Sequence, residues 1–172
     1  DMDRLPLAAD ITLALKSNLA VIECLGQQIE LVETRLQASL AANVAYQQLK
    51  SIPGVGTTLA TVITLETGAI NRFADVGRYA SYARCVGSKH LSNGKKKGEG
   101  NRKNGNQYLA WAFIEAAHFA ARYCEPAKRF YERKKARSNV AVASKALAHK
   151  LARAAYHMLK DGKDFDVARC FA

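Results

Sequence analysis

Between residues 11 and 49 the chain carries no proline and one glycine, Gly26. Over the same stretch Leu15, Leu19, Ile22, Leu25, Ile29, Val32, Leu36, Leu40 and Val44 return at spacings of three and four. A helix turns once every 3.6 residues, so this rhythm lays a continuous apolar stripe along one helical cylinder. The stretch predicts one long amphipathic helix or a helix pair, with coiled-coil character. Residues 1–48 are accordingly assigned to a helical dimerisation segment: a pairing surface and not a chemical site.

No segment of the remaining chain sustains the two-residue alternation of a half-buried strand. "LKSIPGVGTTLATVITLETG", residues 49–68, has the pattern of a helix-hairpin-helix, an apolar residue followed by Pro-Gly-apolar-Gly and a small-residue helix. Gly54 and Gly56 permit a tight turn with outward backbone amides, and a helix opening near Thr57 adds its positive end. Such a turn grips a phosphate without reading sequence, although the same glycines also suit a plain corner between helices. Asp75 reads as an N-cap for a short helix with Val76, Tyr79, Ala80 and Ala83, ended by Gly87. Residues 106–123 are helical again with Pro126 as the stop. Residues 127–139 form a basic helix with Phe130 and Tyr131 inward and Arg133, Lys134, Lys135 and Arg137 outward. Residues 139–162 form the last helix, from Asn139 to Gly162. The fold class is mainly α, a long coiled-coil-like helix followed by a compact helical domain at residues 49–172.

Charge narrows the partners. Residues 1–50 carry 4 Lys/Arg against 6 Asp/Glu and residues 51–172 carry 22 against 9, within a chain of net charge +11. A basic excess confined to one part of a chain marks a polyanion partner. Nucleic acid is favoured over anionic lipid, because the cations do not lie opposite one clean apolar face. No run approaches the roughly 18 apolar residues of a membrane span, and no signal-peptide pattern opens the chain. The expectation is a soluble, cytoplasmic protein. Cys24, Cys85, Cys124 and Cys170 form no CxxC pair and share no ligand spacing with His90, His118, His149 and His157, so reduced thiols are expected and no zinc site.

"GSKHLSNGKKKGEGNRKNGN", residues 87–106, is the segment where chemistry is expected. Three readings compete: a solvated linker, a phosphate-binding loop, and a catalytic loop. Lys89, Lys95, Lys96, Lys97, Arg102 and Lys103 repel one another unless an anion compensates them. The Walker and dinucleotide spacings are absent, so contact with a nucleic-acid backbone fits better. A serine attacking a phosphodiester needs its proton removed and the new negative charge stabilised, and cations with backbone amides supply the second need. Ser92, with Lys89 and Lys95 three residues away on either side, is the candidate nucleophile and Ser88 the alternative. Asp161, Asp164 and Asp166 read as a solvated end. Tyr108, Trp111 and Phe113 have the option of stacking on bases, but helical spacing favours Trp111 and Phe113 as core.

Taken in order, "IPGVGTTLATVITLETG", "INRFADVGRYASYARCVG" and "LSNGKKKGEGNRKNGNQYLAWAFIEAA" resemble the C-terminal transposase domain of the IS-one-ten family of bacterial insertion-sequence recombinases, allied to the Piv and MooV DNA invertases. The likeness covers roughly residues 49–160. It implies a DNA transposase in which an N-terminal RuvC-like domain, absent from this chain, binds Mg2+ through four acidic residues. It also implies a C-terminal serine that forms a phosphoserine link to DNA. Dimers or tetramers and a structured bridge RNA that chooses donor and target DNA belong to the same resemblance. Carried over, Ser92 matches the serine of the family's Ser-Gly motif, within a catalytic loop at residues 87–105, and Gly105 and Asn106 match its Gly-Asn pair, with Asn106 counted among the residues expected to bind nucleic acid. This chain departs in having Ser92-Asn93-Gly94 and in placing Arg102 where the family has a second serine; Ser88 stands close enough to exchange roles with Ser92. The competing class is a non-catalytic helix-hairpin-helix module binding DNA or RNA, dimerised by the long helix. A purely structural coiled-coil adaptor is the third.

Overall fold

The structure, a computed structural model, describes residues 8–87, 89–93, 95–99 and 104–172, with only the backbone at 89–92 and 96–99. Internal packing divides the chain into Asp1–Leu40 and Ala41–Ala172. The first unit is one helix, α1 (Ala9–Leu40), about 48 Å long at 1.5 Å per residue. Leu13, Ile22, Leu25, Ile29, Leu31 and Val32 stand exposed along it. The three-four rhythm continues beyond Leu40, but α1 does not. Asn43 starts a new helix, α2 (Val44–Leu49), by accepting the Tyr46 N–H on its side chain at 3.0 Å. Of the two arrangements the sequence allowed, the structure has the interrupted one.

The second unit is mainly helical. After α2 come α3 (Thr57–Thr67), a 3-10 turn (Ile70–Arg72), α4 (Val76–Tyr82) and a hairpin of β1 (Lys89–Ser92) with β2 (Lys95–Glu99). Then follow α5 (Gln107–Tyr123), α6 (Glu125–Arg137), α7 (Val140–Asp161) and α8 (Val167–Phe171). α7 packs against α2, α4, α5 and α6, and α5 packs against α3. Small residues make that possible. Ala112, Ala116, Ala117 and Ala120 of α5 are buried, as are Ala143, Ala148, Ala152 and Ala155 of α7, so the helix backbones approach closely. Tyr79 lies fully buried at the centre, its hydroxyl 2.9 Å from Thr67 Oγ1 and its ring against Phe73, Phe113 and Tyr156.

Several boundaries differ from the sequence reading. Residues 87–105 were expected as an open loop but contain the hairpin. α4 is N-capped by Asp75 as expected, yet it stops at Tyr82 and turns at Arg84, with φ 54°, not at Gly87. Pro126 does not end α5. It sits in the first turn of α6, where a missing N–H costs nothing, while α5 ends at Cys124. Trp111 is not core, being 47% exposed, because α5 buries the stripe Leu109, Ala112, Phe113, Ala116 and Trp111 falls outside it. Phe130 and Tyr131 are half-buried, with Ala127 the fully buried residue of α6. The end expected to be solvated holds α8, whose N-cap is Asp166, accepting from the Arg169 N–H. Among the described residues no helix is long and apolar enough to cross a membrane, and no group of three His, Cys, Asp or Glu side chains could hold a metal ion.

Candidate catalytic hairpin and phosphate turn

The hairpin rises from a closed root. α4 delivers the chain to Arg84, whose left-handed backbone turns it outward; Gly105 returns it with φ 84°. Asn106 N–H donates to the Tyr82 carbonyl at 2.7 Å and Arg84 Nη2 donates to the Gly105 carbonyl at 3.0 Å. Gly105 is held so closely that a Cβ there would lie 2.5 Å from the Tyr82 carbonyl oxygen. Asn106 then starts α5. Its Oδ1 accepts from the Tyr108 and Leu109 N–H groups, at 2.8 and 2.9 Å, and its Nδ2 donates to the Glu66 carboxylate and to Tyr82 Oη. The Asn106 hydrogen bond, followed by that of Arg72, holds the Tyr82 hydroxyl below its ordinary pKa. Both ends of the Asn106 amide are thus engaged within the chain, which makes it a buttress of the hairpin root.

Beyond the root, β1 and β2 run antiparallel. Lys89 pairs with Glu99, His90 with Gly98, Leu91 with Lys96 and Ser92 with Lys95. The register shifts between His90 and Leu91, leaving Lys97 as the extra residue of a β-bulge. The strands are joined by two residues, 93 and 94; Asn93 has φ 52°. A positive φ at the first position of a two-residue connection is what Asn-Gly hairpin turns require, and their twist matches that of the strands. Ser92 therefore closes β1 at the turn, its backbone opposite Lys95, and Asn93 and Lys95 are exposed. Ser88, Arg102 and Lys103 lie outside the described residues.

The turn at residues 50–56 joins α2 to α3. The Val55 N–H donates to the Ile52 carbonyl at 2.9 Å, and Gly54 takes φ 88°. Gly54 is tied to packing: a Cβ there would lie 2.5 Å from the Ala116 carbonyl oxygen and 2.7 Å from the Ala120 nitrogen of α5. Gly56 differs. It precedes Thr57 as N-cap of α3, offers no side chain to cap it, and would place a Cβ in open space. The first amides of α3 therefore lack intrahelical partners beside an exposed glycine. Gly54 meets α5 near Ala116 and the hairpin root joins α5 at Asn106, so the two features stand ten residues, or ~15 Å, apart along one rigid helix. The outer face of α5 adds Tyr108 and Trp111, 55% and 47% exposed; spacing had favoured the core for Trp111.

Residues 46–132, from α2 into α6 and including both the turn and the hairpin, match the family described as Transposase IS116/IS110/IS902 family. The chain belongs to that family. This transposase-family chain is also similar to a Streptomyces coelicolor protein described as "Insertion element IS110 uncharacterized 43.6 kDa protein", 28% identical over 163 residues. That alignment takes in 94% of this chain and 40% of the relative, so the chain spans well under half of the relative's length. The family match ends at residue 132, so α7 and α8 lie beyond the family pattern.

Proposed function

We propose that this chain is the serine-bearing C-terminal portion of an insertion-sequence transposase that acts on DNA chosen through a guide RNA. The observation that carries the reading is the seat of Ser92, at the end of β1, beside a two-residue turn and opposite exposed Lys95, within a segment of transposase-family sequence. In the proposed step Ser92 Oγ loses its proton and bonds to the scissile phosphorus. The bond from phosphorus to the leaving 3′-oxygen breaks, and that oxygen takes a proton. The phosphodiester energy is kept in the phosphoserine link, so an incoming 3′-hydroxyl reverses it without a nucleotide cofactor. Lys89, Lys95, Lys96 and Lys97, with Arg102 and Lys103, neutralise the pentacoordinate charge. Gly56 and Thr57 hold a neighbouring phosphate, and Asn106 positions the hairpin root.

The exposed apolar stripe of α1 supports pairing between copies, as a dimer or tetramer. The magnesium implied by the family resemblance belongs to the RuvC-like domain. The described residues here contain no cluster fitted to hold it, and no step above passes through it.

The test is covalent trapping. The full-length protein with guide RNA and labelled target DNA is run under denaturing conditions beside Ser92→Ala and Ser88→Ala. A protein-linked DNA band lost only in Ser92→Ala supports the mechanism. A band lost only in Ser88→Ala moves the nucleophile four residues. The second reading, a non-catalytic phosphate-gripping module, is favoured by the open Gly56 amide end of α3. It predicts binding of nucleic acid with no covalent band in any lane.

A further inference from the structure

Away from the hairpin, residues of α6, α7 and α8 and of the α7–α8 connection line an open pocket of about 530 Å³, within the size range of small-ligand sites. Its lining is rich in cations: Lys150 and Arg153 of α7 are joined by Lys134 of α6 and Arg169 of α8. His149 and His157 lie on the same face of α7, four residues either side of Arg153. Burial, then the Arg153 charge, pushes the His149 imidazole below its ordinary pKa, so the lining around Arg153 is both positive and partly removed from water. Like charges three and four residues apart on a helix repel, by a few tenths of a kcal/mol per pair. None of these four Lys and Arg side chains has a carboxylate within ion-pair distance among the described residues.

The lining also carries aromatic and acidic groups. Phe130 and Phe165 line the cavity, and Phe171 stands behind them, 6.2 Å from Phe130 and 6.5 Å from Phe165 between ring centroids. Lys150 Nζ rests 5.3 Å from the Phe130 centroid and 5.8 Å from that of Phe171. Asp161, Asp164 and Asp166 line it as well, Asp166 already capping α8. Cation, ring and carboxylate around one cavity match the three parts of a nucleotide: phosphate, base face, and the amino groups of a base edge. An inorganic anion would use the first alone, and an acidic peptide would meet the Asp groups as like charge.

We propose that this cavity receives one nucleotide unit of a single strand, its phosphate toward Lys150 and Arg153 and its base against Phe130 and Phe165. The site is separate from Ser92 and needs neither guide RNA nor cleavage, so the trapping experiment and this one fail independently. It rests on the reading of the chain as a nucleic-acid binder.

The test uses the 172-residue chain carrying Lys95→Gln, Lys96→Gln and Lys97→Gln, chosen to weaken binding at the hairpin. The ring signals of His149 and His157 and the Met158 methyl are followed by NMR during addition of a short cytidine or adenosine oligonucleotide. The expected result is saturable shifts at all three, with affinity lowered about tenfold by Lys150→Gln with Arg153→Gln and retained in Ser92→Ala. Free nucleoside monophosphate, inorganic phosphate and an acidic peptide are run alongside. The monophosphate giving the same shifts at lower affinity supports the assignment to a nucleotide within a strand. Equal affinity for the monophosphate and the oligonucleotide overturns the strand and leaves a free-nucleotide pocket. Phosphate matching the oligonucleotide overturns it in favour of an anion pocket, and the peptide doing so overturns it in favour of a protein partner. Absence of shifts at His149, His157 and Met158 in the otherwise folded chain overturns it outright, without recourse to the cavity variants.

Discussion

Arg84 and Gly105, twenty-one positions apart, are joined by one hydrogen bond from the guanidinium to the glycine carbonyl at 3.0 Å, and that bond closes the root of the Lys-rich hairpin. The hairpin is thus presented by a fixed base, whatever its tip does. Gly105→Ala places a methyl 2.5 Å from the Tyr82 carbonyl oxygen at a backbone φ of 84°. Urea unfolding is expected to read a loss of roughly 2–4 kcal/mol. Arg84→Gln should cost about 1 kcal/mol, through the hydrogen bond alone. Equal stability of Gly105→Ala and the parent would contradict the close approach.

The two glycines of the α2–α3 turn should separate by experiment. Gly54→Ala collides with α5 backbone and should destabilise by roughly 2–4 kcal/mol. Gly56→Ala meets nothing within 4 Å and should cost about 0.5–1 kcal/mol as a weaker N-cap. If the amides of α3 hold a phosphate, that added methyl intrudes on the approach and lowers affinity for duplex DNA severalfold in a salt titration. Unchanged affinity would leave Gly56 a corner residue.

Asn106 serves α5 and α3 together. Asn106→Ala loses the cap and the Glu66 hydrogen bond and should cost about 2 kcal/mol. Asn139→Ala, which removes only the cap of α7 from Val142 N–H, should cost about 1 kcal/mol. The difference between the two, measured by thermal unfolding, reports the link to Glu66.

Alkaline pH should unfold the chain through two buried groups. Burial pushes the Cys85 thiol from 9.0 up to about 12, and burial likewise raises the Tyr79 hydroxyl. A raised folded pKa means that stability is full below the unfolded pKa and is lost as pH climbs toward the folded one. Stability should therefore fall from about pH 9, by up to about 1.4 kcal/mol per pH unit for one thiol, and faster once Tyr79 joins above pH 10. Cys85→Ala should remove the first part of that slope in urea titrations at pH 8, 9 and 10. A parent whose stability is flat to pH 10 would show that Cys85 is accessible to water.

Much of the helical frame was legible because its signals are local. Asn139 and Gly162 bound α7 as cap and left-handed terminus, and Asp75 caps α4, as their residue types demand. Trp111 was misread because its place depends on which stripe of α5 meets α3 and α7, which spacing does not fix. The hairpin was missed although Asn93-Gly94, the strongest short hairpin signal, is written in the sequence. Its strands are short and Lys-rich and lack apolar alternation, so no periodicity announced them. The cavity between α6 and α8 had no local signature at all, since it gathers residues 130, 150 and 165 by tertiary packing.

The closed root also bears on how such a chain can change. Both ends of the excursion are pinned by Tyr82, Arg84, Gly105 and Asn106, so the segment between them behaves as a cassette. Lengthening it costs only about 0.6 kcal/mol of folding stability per doubling. A designer can therefore graft a foreign hairpin there while leaving the helices as they are.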